Sequence, residues 1–487
     1  MATVSTPLPT MRPVPSGRLE GIIDPVWAAA EADPLRRFFF YFSLLYIFMR
    51  FSLMHETFAI LTHINIRPAV ILGLPTLLGI VATGGIKRIL RSTIGWMWVG
   101  FAVMMILSTP FSSWRGGSVE HLTMFFKSEW TMLLVMGGLA VTWREVKLLY
   151  MTLAASGLLS VAMAKLLLKQ TGADGRMELD IPGSSIANSN DMAAHMLLLL
   201  PFLLFLMFRP KQNFLIRLLS LAGVLTSIYV TLGSGSRGAM IALGVMGGML
   251  FFQASGIRKI LVLLLLPVIL IGVFFTLPTG VKNRLFNFDK SYEREGAEGA
   301  EAVASLQIRN QLMEHALWYT LQHPLLGIGP GQFPVYDDRA SRAEGKRRGS
   351  WHNPHIVYLQ ISSECGIPAL LFYLGAIGGS LMGSWRIWKQ TGLYPQLSEL
   401  RVAAQTLTLT ALSFYTAILF LPIAYKMYLP ALSGLAISMI FVAQKELAQI
   451  RKQAANPASG VAAALPAFEP LLQPSLPLRR STPKLTR

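Results

Sequence analysis

The sequence predicts an all-helical polytopic membrane protein of about twelve transmembrane helices with one large outer loop that itself contains helices. Three observations predict it. Hydrophobic residues make up 53% of the 487 and the mean hydropathy is +0.50. Charged residues are only 14%, against roughly a quarter in an ordinary soluble protein. Long apolar runs recur along most of the chain, separated by short basic segments. A net charge of +18 raises nucleic acid as a partner, but the basic residues lie between apolar runs rather than on one face. The expected partner is the lipid bilayer, not nucleic acid. Cys365 is the only cysteine, which forbids an intrachain disulfide and argues against a thiolate metal cluster.

Residues 1–35 are polar and Pro-rich, without a basic-then-apolar start. They read as a flexible cytoplasmic N-terminus rather than a cleavable signal peptide. Segment 36–278 is expected to hold nine spans: Phe38 to Met54, then 67–84, 93–109, 121–142, 146–167, 192–208, 214–232, 237–253 and 259–277. A large loop, 279–355, follows. Segment 356–443 holds three more spans, at 365–384, 404–423 and 427–443. The remainder, 444–487, is rich in Ala and Pro and reads as a disordered cytoplasmic tail. Alternate short loops (84–93, 142–147, 209–217, 254–259, 385–390 and the tail) are the basic ones. That asymmetry puts both termini in the cytoplasm and the 279–355 loop on the other side.

The residues that could do chemistry cluster in the outer loops. In 169–191, Asp191 or its rival Asn190 caps the next helix, or Asn190 contacts a polar substrate. Gly233-Ser-Gly-Ser-Arg237-Gly238 puts an arginine at the outer end of a span, where it either snorkels to the interface or holds phosphate oxygens. Lys282 and Arg284, just past the preceding span, suit lipid headgroups. From Ala302 to Leu321 apolar residues recur at helical period, through Leu306, Leu312 or Met313, Ala316 or Leu317, and Leu321. Arg309 on that helix either points into a polar cavity or is solvated. HPLLGIGPGQF, 323–333, cannot be a long helix because of Pro324, Gly327, Gly329, Pro330 and Gly331. It is a compact turn whose N–H groups are open to reading as an anion nest. Arg342, Lys346, Arg347 and Arg348 form a basic run, a solvated face or a contact for anionic lipid or glycan. His352 and His355 flank Pro354. They suit a metal site poorly, and a neutral histidine suits proton acceptance from a hydroxyl. Glu364 is either its partner or, preferably, a cap or interhelical hydrogen bond. Gly366 allows close packing and Pro368 fits a first helical turn.

Taken together, Arg309, HPLLGIGPGQF, and His355, Leu359, Glu364 and Gly366 in register resemble the bacterial O-antigen ligase and O-antigen polymerase superfamily of membrane glycosyltransferases. The segment around Arg237 is similar to that family's outer-face arginine motif. Ile356 stands where the family often has Asn, and Asn353 follows His352 instead; the spacing to Glu364 and Gly366 selects His355. The resemblance implies an inner-membrane enzyme with its site facing the periplasm, using an undecaprenyl-diphosphate-linked glycan as donor. The acceptor is a lipid-linked repeat for a polymerase or lipid A-core for a ligase, and chain-length or export proteins are possible partners. It implies an inverting transfer without nucleotide sugar, metal or cofactor. His355 is then the base, and Arg237 and Arg309 bind diphosphate. Arg284, Lys282, His352, Tyr358 and Asn190 are further substrate-binding candidates. Glu364, Gly366, Gly329 and Gly331 shape the surroundings. The form of the turn leans towards the polymerase branch, with ligase as the alternative. A transporter of lipid-linked substrate is the rival from another class, although the chain lacks matched halves.

Overall fold

The computed structural model describes residues 25–63, 68–171, 175–179, 186, 188–209, 212–286, 297–345 and 351–455. In chain order the helices are α1 (Pro25–Ala32), α2 (Pro34–Phe51), α3 (Met54–Thr62), α4 (Pro68–Ala82), α5 (Gly85–Ile89), α6 (Thr93–Ser108), α7 (Arg115–Met124), α8 (Thr131–Gly138) and α9 (Trp143–Leu167). A hairpin of β1 (Leu168–Thr171) and β2 (Arg176–Leu179) follows, pairing Thr171 with Arg176. Then come α10 (Ser189–Phe208), α11 (Phe214–Gly233), α12 (Arg237–Gln253), α13 (Ile257–Thr276), α14 (Thr279–Phe286), α15 (Ala297–Gln322) and α16 (Phe333–Ala343). The last are α17 (Val357–Thr391), α18 (Ser398–Ala417) and α19 (Tyr428–Ala455).

Among the described residues eight helices are long and apolar enough to cross a membrane, not twelve. They lie in α6, α9, α10, α11, α13, α17, α18 and α19. The other four expected spans fall short for visible reasons. The first carries Arg36, Arg37 and Arg50 within α2. Those at 67–84 and 237–253 reduce to the shorter apolar helices Val70–Ala82 and Arg237–Gln253. Segment 121–142 is broken into α7, a π-helical stretch Phe125–Trp130, and α8. The hairpin is the one departure from an all-helical chain among the described residues.

α10 lies at the centre. Apolar residues surround it on every side, and Met192 to Phe205 is almost wholly buried against α9, α11 and α18, as expected of a helix hydrophobic all round. At the end of the bundle that carries α1 and the C-terminal end of α19, arginines complete a helix. The C-terminal carbonyls of α8 have no partners within their own helix. Arg88 Nε donates to Gly138 O at 2.6 Å, and Arg36 Nη1 to Leu139 O at 2.6 Å. Arg36 also donates to Glu145 Oε1 at 2.8 Å and to Ala30 O at 2.6 Å. There α1 meets α19, with Trp27 stacked on Phe441 at 4.3 Å and Lys445 paired with Glu31. Both terminal boundaries therefore shift. A helix forms within the supposedly flexible 1–35, and α19 runs on to Ala455 past the expected limit at 443. Residues 1–24 and 456–487 lie outside the described residues, as do Lys346, Arg347 and Arg348.

The long loop folds. α15, α16 and the start of α17 enclose a small core of Leu312, Ala316, Tyr319, Ile328 and Phe333, with Tyr336 and Leu359 against it. α17 is two helices joined at a kink, broken at Gly366 with φ 86° and ψ 170°.

Candidate active site

The glycine turn is a strap laid across the break in α17. Ile328 N donates to Ser363 O at 2.9 Å, Gly329 N to Glu364 O at 2.9 Å, and Ile367 N to Pro324 O at 2.7 Å. A Cβ on Gly327 would lie 2.3 Å from Glu364 C, and one on Gly366 2.3 Å from Leu325 O. Both residues also have positive φ, so glycine is required where the two backbones touch. Glu364, 0% exposed, accepts from Gly331 N at 2.9 Å, Phe333 N at 3.2 Å and Tyr425 OH at 2.7 Å. It thereby caps α16. The anion-nest reading of the turn fails, because these N–H groups already have internal acceptors. Gly329 and Gly331, also at positive φ, close on Ser112 and His121. The strap fixes the mouth of α17, where His355 sits.

Two arginines interlock around the turn before α12. Ser236 caps that helix by accepting from Ala239 N. Arg237 Nε donates to Arg284 O at 2.9 Å, and Arg284 Nε donates back to Gly235 O at 3.2 Å. Gly235 has φ 64°, and a Cβ there would meet Arg284 at 3.1 Å and Arg176 at 3.5 Å. Val281 and Leu285 of α14 are fully buried, which anchors the element carrying Arg284.

Arg176 joins this cluster, and sequence reasoning missed it. Its Nε donates to Ser234 O at 2.8 Å and its Nη2 to Asn190 Oδ1 at 3.0 Å. The only cue was a Gly-Ala-Asp-Gly stretch that marks a hairpin; nothing local says where the hairpin docks. Asn190 thus meets the cluster through Arg176. The cap of α10 is neither Asn190 nor Asp191 but Asn188, which accepts from both of their amides.

Arg309 lies on the face of α15 that also carries Leu312 and Ala316, both buried. Among the described residues its guanidinium makes no hydrogen bond or ion pair. Burial and then the charge of Arg284 pull its pKa below the ordinary value; a guanidinium stays charged regardless. His355 is half-buried, and its ring likewise has no hydrogen-bond partner among the described residues. Burial first, then Arg309 and His352, lower its pKa to about 4, so it is neutral at pH 7. The field of each group is felt by the next, linking Arg237, Arg284, Arg309, His355 and His352.

Some candidates stand elsewhere. Lys282 folds back, with Nζ 3.1 Å from Phe275 O and over the Phe274 ring. Tyr358 packs against the main core. His352 and His355 precede α17 and share no helical face. Among the described residues no group of three His, Cys, Asp or Glu is placed to hold a metal.

Residues 222–374 match the family model described as O-antigen ligase. Over that segment the chain is similar to the O-antigen ligase family. The match covers α12 to the first part of α17, and with them Arg237, Arg284, Arg309, His355 and the strap. Arg176 and Asn190 lie outside it. No curated protein matches the chain.

Proposed function

We propose that the chain is a membrane glycosyltransferase of the O-antigen ligase type, moving a glycan from undecaprenyl diphosphate to lipid A-core on the periplasmic face. The observation that carries this reading is the electrostatic coupling of Arg309, a half-buried cation, to His355, a neutral base, neither of which has a hydrogen-bond partner among the described residues. An unsatisfied guanidinium beside Arg284 suits a diphosphate. His355 takes the proton from the acceptor hydroxyl. The acceptor oxygen attacks the anomeric carbon from the face opposite the leaving group. The bond to the diphosphate oxygen breaks, and the arginines take up the charge that develops there. One displacement inverts the anomeric centre, and no carboxylate is needed as nucleophile.

The description of the matched family favours ligation over the polymerisation suggested by the form of the turn. The basic inner loops support cytoplasmic termini, and the arginine cluster lies at the other end of the bundle. The test is reconstitution in vesicles with an undecaprenyl-diphosphate oligosaccharide and either lipid A-core or a second lipid-linked repeat. Mass spectrometry reads the products. Glycosylated lipid A-core is the expected product. Lengthened lipid-linked glycan alone would make it a polymerase, and substrate movement without a new glycosidic bond would make it a transporter.

A further inference from the structure

We propose that the C-terminal half of α15 and the strap form a foot immersed in the bilayer, in the leaflet nearest the candidate site. The partner of this face is the lipid hydrocarbon, whatever reaction the site performs. The sign is a stripe along α15. Gln307, Asn310, Glu314, Leu317 and Leu321 recur at helical spacing and are all exposed. The first three are polar and the last two apolar, so the stripe changes character part-way along the helix. At its apolar end Leu321 is 62% exposed, Trp318 beside it 59%, and Leu325 of the strap 69%. The other side of the same stretch, Leu312, Ala316 and Tyr319, is buried in the small core. The open residues are therefore not what holds α15 in place, and a contiguous apolar patch of this kind marks an interaction surface.

Two spanning helices fix the level of that patch. Ile367 N donates to Pro324 O at 2.7 Å, which sets Leu325 beside Ile367 at the kink of α17. An exposed apolar stripe starts there and runs through Leu371, Leu374 and Met382 to Trp385 on one side of α17. At the opposite end Lys389 Nζ lies 5.4 Å from the Trp385 ring centre and 5.2 Å from that of Trp388. Tryptophan with a basic residue is the usual furniture of a membrane–water boundary. At about 1.5 Å per residue, Ile367 stands roughly 30 Å from Trp388, which matches the hydrocarbon core of about 30 Å. α6 gives the same level. Ser108, in its last turn, donates to Leu326 O, and Phe111 just beyond is 70% exposed. Leu325 therefore sits at the edge of the hydrocarbon. Trp318, about two turns back along the chain, falls where interfacial tryptophans collect. The polar half of the stripe, with Arg309 on the neighbouring face, leads away into water.

A second copy or another protein would also cover an apolar face. Lipid fits better on two counts. The patch runs unbroken into the exposed stripe of α17, and its polarity changes along the helix axis, as a helix leaving a bilayer requires, rather than around it.

The experiment uses the full chain in nanodiscs of phosphatidylethanolamine and phosphatidylglycerol. A nitroxide is attached to a cysteine introduced by Leu321→Cys, Leu325→Cys, Asn310→Cys or Leu371→Cys, all at exposed positions. Cys365 is buried, so the parent serves as the blank. Relaxation by dissolved oxygen reports hydrocarbon, and relaxation by a water-soluble nickel chelate reports water. The labels of Leu321→Cys and Leu325→Cys should relax with oxygen and lose relaxation by the chelate, as in the Leu371→Cys reference, while Asn310→Cys shows the reverse. Chelate access in the first two equal to that in Asn310→Cys would leave the foot in water and overturn the proposal. Shielding from both reagents would put a protein surface there, a second copy or another chain, and overturn it too. Oxygen-dominated relaxation in Asn310→Cys would sink the whole helix in lipid and remove the polar-to-apolar step.

Discussion

Arg36 and Arg309 are both taken out of water, at opposite ends of the bundle, and they are treated in opposite ways. Arg36 is 0% exposed and each of its three nitrogens donates, to Ala30 O, Leu139 O and Glu145. Glu145 is in turn satisfied by the amides of Val141 and Thr142. Arg309 has a charged neighbour of the same sign in Arg284 and no acceptor among the described residues. A buried cation with an acceptor at every nitrogen is part of the scaffold. One whose donors are left over suits an anion from outside the chain, as proposed for Arg309. Burial alone does not tell the two apart; accounting for the donors does.

Mutation should separate the two ends, and the largest effect belongs to the base. His355→Ala should lower turnover roughly 10²–10⁴-fold, with His352→Ala within a few-fold of the parent. Equal tolerance of both changes would remove His355 from the mechanism. In the parent, kcat/KM should be flat above about pH 5 and fall as pH drops through about 4, where His355 takes a proton. An acid limb near 6.5 would show that its surroundings do not depress it.

The arginines supply a crossed test. Arg309→Ala should cost roughly 10²–10³-fold in turnover and leave the thermal midpoint in detergent unchanged or higher, since an uncompensated desolvated charge is lost. Arg237→Ala should lose activity on the same scale. Arg36→Ala should do the reverse, losing about 3–5 kcal/mol of stability because Glu145 is left unpaired, with normal turnover per folded molecule. If Arg309→Ala proves as unstable as Arg36→Ala, the contrast collapses.

The smallest effect is expected at the rim of the scaffold end. Lys147 Nζ lies 3.1 Å from Glu399 and Arg209 Nε 3.4 Å from it, all partly exposed. Lys147→Ala should cost about 1 kcal/mol or less and no activity; a large loss in a melting experiment would mean that this pair matters as the buried one does.

Legibility in the sequence followed the range of the interaction. Arg309, the strap and His355 were readable because helical period, glycine and proline placement, and the spacing from His355 to Gly366 are local. Arg176 was not, because its contacts run from a short hairpin to Ser234 and Asn190. The cap of α10 was misplaced because Asp191 and Asn190 lie inside the helix once Asn188 starts it. The long loop looked like one amphipathic helix plus a turn, whereas Glu364, far along the chain, gathers the turn and α16 into one unit. Only eight of the twelve expected spans reappear as long apolar helices among the described residues, because hydropathy sees neither the π-helical interruption at Phe125 nor the caps that divide a run.

α13 is the outlier of the bundle: none of its apolar window is buried inside the protein, although it leads directly to α14 and Arg284. Its tilt is therefore answerable to the thickness of the surrounding hydrocarbon as well as to its packing on α11 and α12. A thicker or thinner bilayer would act first on that helix, while the buried Val281 and Leu285 hold α14 and its guanidinium in place.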